Sequence, residues 1–100
     1  MQKRVEQFVE HHNLQCPELV RYADLVSEIG ELGKALVRGT GYGKHPLTGG
    51  DGIAEELGDC MFSLLALCSA LGVDAQKALS DAMDKYDARI RTRGSADSGH

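Results

Sequence analysis

After Asp59 the chain runs for fourteen residues without a charge, CMFSLLALCSALGV. A helix drawn through this run is apolar nearly all round, so it needs other helices on every side rather than a place on a surface. The run falls short of the roughly 18 apolar residues that a membrane span requires. The N-terminal segment MQKRVEQFVEHH lacks the apolar centre of a signal peptide. A soluble, cytoplasmic protein is expected, with no membrane partner. The 100 residues suffice for one small domain and include only five aromatic side chains. Two long helices and one short one offer limited cover for such a segment. Self-association into a homodimer or homotetramer is therefore expected, with the apolar helix near the shared core.

Periodicity supplies the covering elements. Residues 2–14 suggest a short polar helix with Val5, Phe8 and Val9 as its apolar edge. Pro17 suits the first turn of a second helix. Along it Leu19, Tyr22, Ala23, Val26, Ile29, Gly33, Leu36 and Val37 recur at the intervals of one helix face, up to a stop at Gly39. The charge-free run belongs to a third helix, from about Ile53 to Leu71, capped by Asp51 and stopped by Gly72. Asp74 caps a fourth, 75–92, whose apolar face includes Ala75, Leu79, Met83, Tyr86 and Ile90. No segment reads as a strand. The expected architecture is all-α, a four-helix bundle forming one domain over 1–92, with a flexible polar tail at 93–100.

Between the second and third helices, GTGYGKHPLTGGDG holds six of the 12 glycines and Pro46, the composition of a loop. It is not a phosphate-binding loop. A Walker pattern needs Gly where Arg38 stands and Ser or Thr where His45 follows Lys44, and the dinucleotide fingerprint lacks its third Gly. Composition suggests a mobile lid instead. The 11 basic residues against 15 acidic ones give a net charge of −4, which argues against a nucleic-acid polymer as partner. Cys16, Cys60 and Cys68 form no CxxC pair and fit reduced thiols, with Cys60 and Cys68 as small core residues. His11 and His12 belong to a solvated helix end.

Two acidic pairs stand out, Glu28 with Glu31 and Glu56 with Asp59, each at i, i+3 and so on one side of its helix. If the two helices pack antiparallel, four carboxylates converge. Oxygen donors of this kind suit Mg²⁺ or Mn²⁺, whereas a di-iron bundle would supply Glu-x-x-His and zinc would call for His or Cys. The residues also allow a plainer account. Glu28 and Glu31 share a polar face with Asp24, Lys34 and Arg38, suited to ion pairs such as Glu31–Lys34. Glu56 and Asp59 lie where acids favour a helix dipole. Spacing alone leaves both accounts standing.

The string VSEIGELGKAL, followed by EELGDCMFSLLALCSALGVD and then DKYDARI, resembles the MazG-like family of all-α nucleoside triphosphate pyrophosphohydrolases across residues 17–92. The family signature is EExxE followed by ExxD; here it reads Ser27-Glu28-Ile29-Gly30-Glu31 and Glu56-Leu57-Gly58-Asp59. The resemblance implies Mg²⁺-dependent hydrolysis of a nucleoside triphosphate between the α and β phosphates, in the manner of enzymes that clear unwanted nucleotides. Glu28, Glu31, Glu56 and Asp59 would be the metal and catalytic residues, holding one to three Mg²⁺ ions, with Mn²⁺ as a substitute. The chain departs from the family at Ser27, where the first Glu of the pair is usual; this puts the identity of the general base in doubt. Glu55 is a further acid beside the second pair.

By the same resemblance, Lys85, Tyr86 and Arg89 of the fourth helix would contact the phosphates, with Lys34 added from the second. An Asp81–Lys85 ion pair and a snorkelling Arg89 are the alternative for that helix. For base recognition the sequence offers only Tyr42 and His45 in the loop. A non-catalytic helical interaction module, or a lapsed relative that still binds nucleotide, are the rival classes.

Overall fold

The computed structural model describes residues 1–93 and consists of four helices: α1 (Gln2–His11), α2 (Glu18–Gly39), α3 (Gly50–Ala70) and α4 (Ala75–Arg93). There is no strand among the described residues. The fold class is all-α, as the periodicity implied. The expected tail falls mostly outside the described residues, and Arg93 belongs to α4.

Local chemistry sets each boundary. α1 stops three residues earlier than the pattern suggested because Asn13 turns into the left-handed region at φ 53°, letting the Leu14 N–H reach the Val9 carbonyl at 2.9 Å. Pro17 stands at the N-cap of α2 rather than inside its first turn, and its carbonyl accepts from Val20 at 3.0 Å and Arg21 at 3.1 Å. α3 also starts early. Gly49, at φ 73°, takes its N-cap, so Asp51 falls inside the first turn and is not the cap. At the other end Gly72 (φ 69°) turns the chain, and the Val73 N–H closes on the Cys68 carbonyl at 2.8 Å. Asp74 caps α4 as expected, accepting the Lys77 N–H at 3.2 Å.

The packing is dominated by α2 against α3, with α1 laid on α3. Glu18 and Arg21 at the start of α2 share a cavity with Ala66–Ala70 at the end of α3, while Glu28 meets Glu56 and Asp59. The two helices therefore run antiparallel. Ala66 is 4% exposed, and Ser63 and Arg21 are also buried. The Arg21 guanidinium turns back to donate through Nη2 to the Leu14 carbonyl, tying the α1–α2 turn to α2.

α4 departs from the expected bundle. Its axis makes 102° with that of α3, with which it has only slight contact, and it leaves Leu79 62% and Met83 60% exposed. Nor does the chain enclose α3: Leu57, Met61 and Leu64 face outward. The accessible surface is 7437 Å², where a compact monomer of this mass exposes about 5500 Å². The radius of gyration is 16.6 Å, against about 13 Å for a closed 100-residue domain. Three segments of this length do not surround a helix that is apolar on all sides when the last one swings away.

One side chain holds the α3–α4 corner. Gln2 donates through Nε2 to the Val73 carbonyl at 2.7 Å and to Ser69 Oγ at 3.2 Å, and its Oε1 accepts the Ala75 N–H at 2.8 Å. A buried or half-buried hydrogen bond contributes roughly 0.5–1.5 kcal/mol. Gln2→Ala is expected to lower stability by about 1–2 kcal/mol in urea titration, and to speed hydrogen exchange at the Ala75 amide.

Candidate functional site

Glu28 lies midway along α2, and Glu56 and Asp59 lie one turn apart in the first half of α3. Because the two helices are antiparallel neighbours, one carboxylate oxygen from each comes within 4.8 Å of the other two. Glu28 and Glu56 are half-buried and Asp59 is exposed. The grouping has an electrostatic signature. Partial burial, then the charges of Asp59, Glu31, Glu28 and Glu55, push the Glu56 carboxyl above its usual pKa. Burial, then the charges of Glu28, Glu56 and Asp59, raise the Cys60 thiol.

Three crowded carboxylates with one open side form a hard-oxygen donor set. They match Mg²⁺ or Mn²⁺, whose charge would relieve the repulsion that raises Glu56.

Glu31 stands at the margin. It adds to the charge felt by Glu56 but is exposed and outside the close trio, with its Oε1 4.0 Å from Lys34 Nζ. Lys34 is thereby held at the edge of the acids, in the ion pair the sequence suggested.

The α4 residues form a separate stack. Lys85 Nζ lies 5.2 Å from the Tyr86 ring centroid and Arg89 Cζ lies 5.9 Å from it, within reach of cation–π attraction. Arg89 is half-buried, and its Nη1 is enclosed without a hydrogen-bond partner. Among the described residues no ion pair links Lys85 or Arg89 to Glu28, Glu56 or Asp59. The Asp81–Lys85 pair does not form either: Asp81 takes Lys77 at 3.0 Å, and Asp87 takes Arg91 at 2.9 Å.

The glycine-rich loop is more ordered in its bonding than a lid read from composition. Thr40 Oγ1 donates to the Leu36 carbonyl at 2.8 Å and accepts from Gly43 N at 3.0 Å. Thr48 closes the loop on the Gly39 carbonyl through its N–H at 2.9 Å. Gly39 permits this approach, since a Cβ there would lie 2.5 Å from Leu47 Cδ1. Tyr42 is exposed at φ 63°, and His45 folds over Gly41 with Nδ1 2.8 Å from the Pro46 carbonyl. His11 and His12 are exposed, and the His12 ring centroid lies 4.5 Å from that of Phe8, with the two rings tilted at 52°.

Cys60, which the sequence suggested as a core residue, is half-buried beside the acids. Its i+4 spacing from Glu56 is the signal that could have placed it there.

The MazG nucleotide pyrophosphohydrolase domain profile matches residues 18–93. No curated protein and no solved structure matches the chain.

The acid trio leads to a paired expectation in thermal melts. In EDTA, Glu56→Gln should melt higher than wild type, because it removes one of several crowded charges. With Mg²⁺ at about 100 times its Kd, wild type should gain about 2.7 kcal/mol, and Glu56→Gln should lose most of that gain. The order of the two proteins thus reverses on adding metal.

Proposed function

The chain belongs to the MazG nucleotide pyrophosphohydrolase family, and from that premise we propose that it hydrolyses nucleoside triphosphates to monophosphate and pyrophosphate in a Mg²⁺-dependent reaction. The observation that carries this reading is the convergence of Glu28, Glu56 and Asp59 within 4.8 Å, on the two helices that bear the family's acidic motifs. Glu31 is the fourth acid, one turn along α2.

The chemistry is an addition of water across the α–β bridge. A P–O bond forms to the α phosphorus, the bond to the bridging oxygen breaks, pyrophosphate leaves with that oxygen, and a proton is released. A divalent ion, when bound, supplies countercharge to the polyphosphate and lowers the pKa of a coordinated water. Glu28, Glu56 and Asp59 would hold the cations, and the packed α2–α3 pair fixes the spacing of the three acids. Lys34 presents a positive charge at the edge of the acids. Lys85, Tyr86 and Arg89 are the proposed phosphate contacts on α4. α4 leaves α3 at 102°, and in this reading its residues would meet the substrate of a neighbouring copy.

Self-association belongs to the same reading. The excess of accessible surface over a compact monomer, about 1900 Å², is of the size a homodimer or homotetramer buries from each chain. Leu79 and Met83 on α4, with Leu57 and Leu64 on α3, provide apolar surface for it. A cytoplasmic setting accords with the three free thiols. A lapsed, nucleotide-binding relative is the second reading, favoured by Ser27 in place of the family's first Glu.

Pyrophosphate release from each common NTP and dNTP, with Mg²⁺, Mn²⁺ or EDTA, tests the activity. Turnover should require the metal and fall at least about 100-fold in Glu56→Gln or Asp59→Asn, the loss expected when a group stabilising charge in the transition state is removed. Tight metal-dependent binding without pyrophosphate release would favour the lapsed relative. Light scattering should give a mass of at least twice 10.8 kDa, and Met83→Glu should lower it.

A further inference from the structure

Between α1 and α3 runs a groove of about 580 Å³. Met1 and, on α1, Arg4, Val5 and Phe8 form one wall, and Met61, Phe62 and Leu65 of α3 the other. The Phe8 ring meets Phe62 edge-on, with centroids 5.8 Å apart and planes at 85°, yet Phe8 is still 49% exposed. Asp59 also lines the groove, so one carboxylate belongs both to this apolar cleft and to the acid trio. Gly58 lies beside it, with nothing within 4 Å of where a Cβ would stand.

A nucleoside triphosphate has two chemically opposed ends. The polyphosphate needs cations, which the acids can hold; the base needs a flat apolar surface from which water can be displaced. The shared Asp59 sets these two environments side by side. We propose that the α1–α3 groove is the nucleobase subsite, with Phe8 as its stacking residue. This rests on the pyrophosphohydrolase reading of the acid trio.

The groove favours a nucleotide over the apolar face of a second copy. A protein surface seated there would have to cover the charged groups of both Asp59 and Arg4, whereas a nucleotide arrives with the cation that Asp59 would help to hold. Apart from Arg4 and Asp59 the lining is apolar side chains and Gly58, so the base is held chiefly by its π-face, with the Arg4 guanidinium as the one cation beside it. Stacking of that kind is tolerant of base identity. The subsite therefore accepts all the common bases with similar affinity.

The test is calorimetric titration of the full chain with Mg²⁺ and either a non-hydrolysable α,β-methylene nucleoside triphosphate or inorganic tripolyphosphate, which lacks a base. Phe8→Ala removes the stacking ring. Gly58→Leu fills the groove from open helix surface and guards against a folding artefact. Both variants should bind the nucleotide analogue about tenfold more weakly, the order expected for one stacked base, and tripolyphosphate unchanged. Wild-type affinities for analogues of the four common bases should agree within about tenfold.

Unchanged analogue affinity in Gly58→Leu overturns the subsite alone. Equal losses for both ligands overturn it too, since the change would then lie in the phosphate site. A drop in oligomeric mass with nucleotide affinity intact assigns the groove to a second copy. Wild-type protein that binds neither ligand overturns the pyrophosphohydrolase reading, and the subsite with it.

Discussion

The antiparallel contact between α2 and α3 is the constraint from which the rest follows. It carries the small buried side chains Ser63 and Ala66, where helices can lie close. It also draws Glu28 to Glu56 and Asp59. Bringing three like charges together is unfavourable, as the raised Glu56 carboxyl shows. The burial of apolar surface along the helix pair holds them there regardless. A cation would relieve repulsion of this kind, so the packing that crowds the free site is also what would favour a metal there.

The two long helices that build the site are well packed against each other, while the surfaces left open lie elsewhere. α3 shows Leu57, Met61 and Leu64 to the outside, and α4 stands across its end with Leu79 and Met83 uncovered. The division separates tasks within a short chain. One pair of helices brings the acids together, and Leu57, Leu64, Leu79 and Met83 are left uncovered away from them. The Gln2 side chain, bonded to Ser69, Val73 and Ala75, fixes the corner at which α4 departs.

Much of this was legible in the sequence where the cause is local. Helix periodicity, the Asp74 cap and the stop at Gly72 depend on neighbours within a turn, and all appear in the structure. The i, i+3 spacing puts Glu56 and Asp59 together beside Glu28, whereas Glu31, paired with Glu28 in the sequence, lies outside the close trio. Boundaries set by unusual backbone were missed: Asn13 and Gly49 adopt left-handed conformations that no apolar pattern marks. Long-range placement was missed too. The pairing of Phe8 with Phe62, the Gln2 bonds and the 102° departure of α4 join residues far apart in the chain, and one sequence carries no signal for such contacts. The apolar run of α3 correctly implied that one chain leaves it short of cover, but not which helix would swing aside.

The loop after α2 bears on how such a chain tolerates change. Thr48 bonds back to Gly39, so the residues between them form a ring that closes before α3 begins. Insertions around Tyr42–Pro46 would widen that ring while its neck stayed shut. The relative register of Glu28 and Glu56 would then be shielded from variation in loop length, and a lineage could remodel this tip freely while keeping its acids in step.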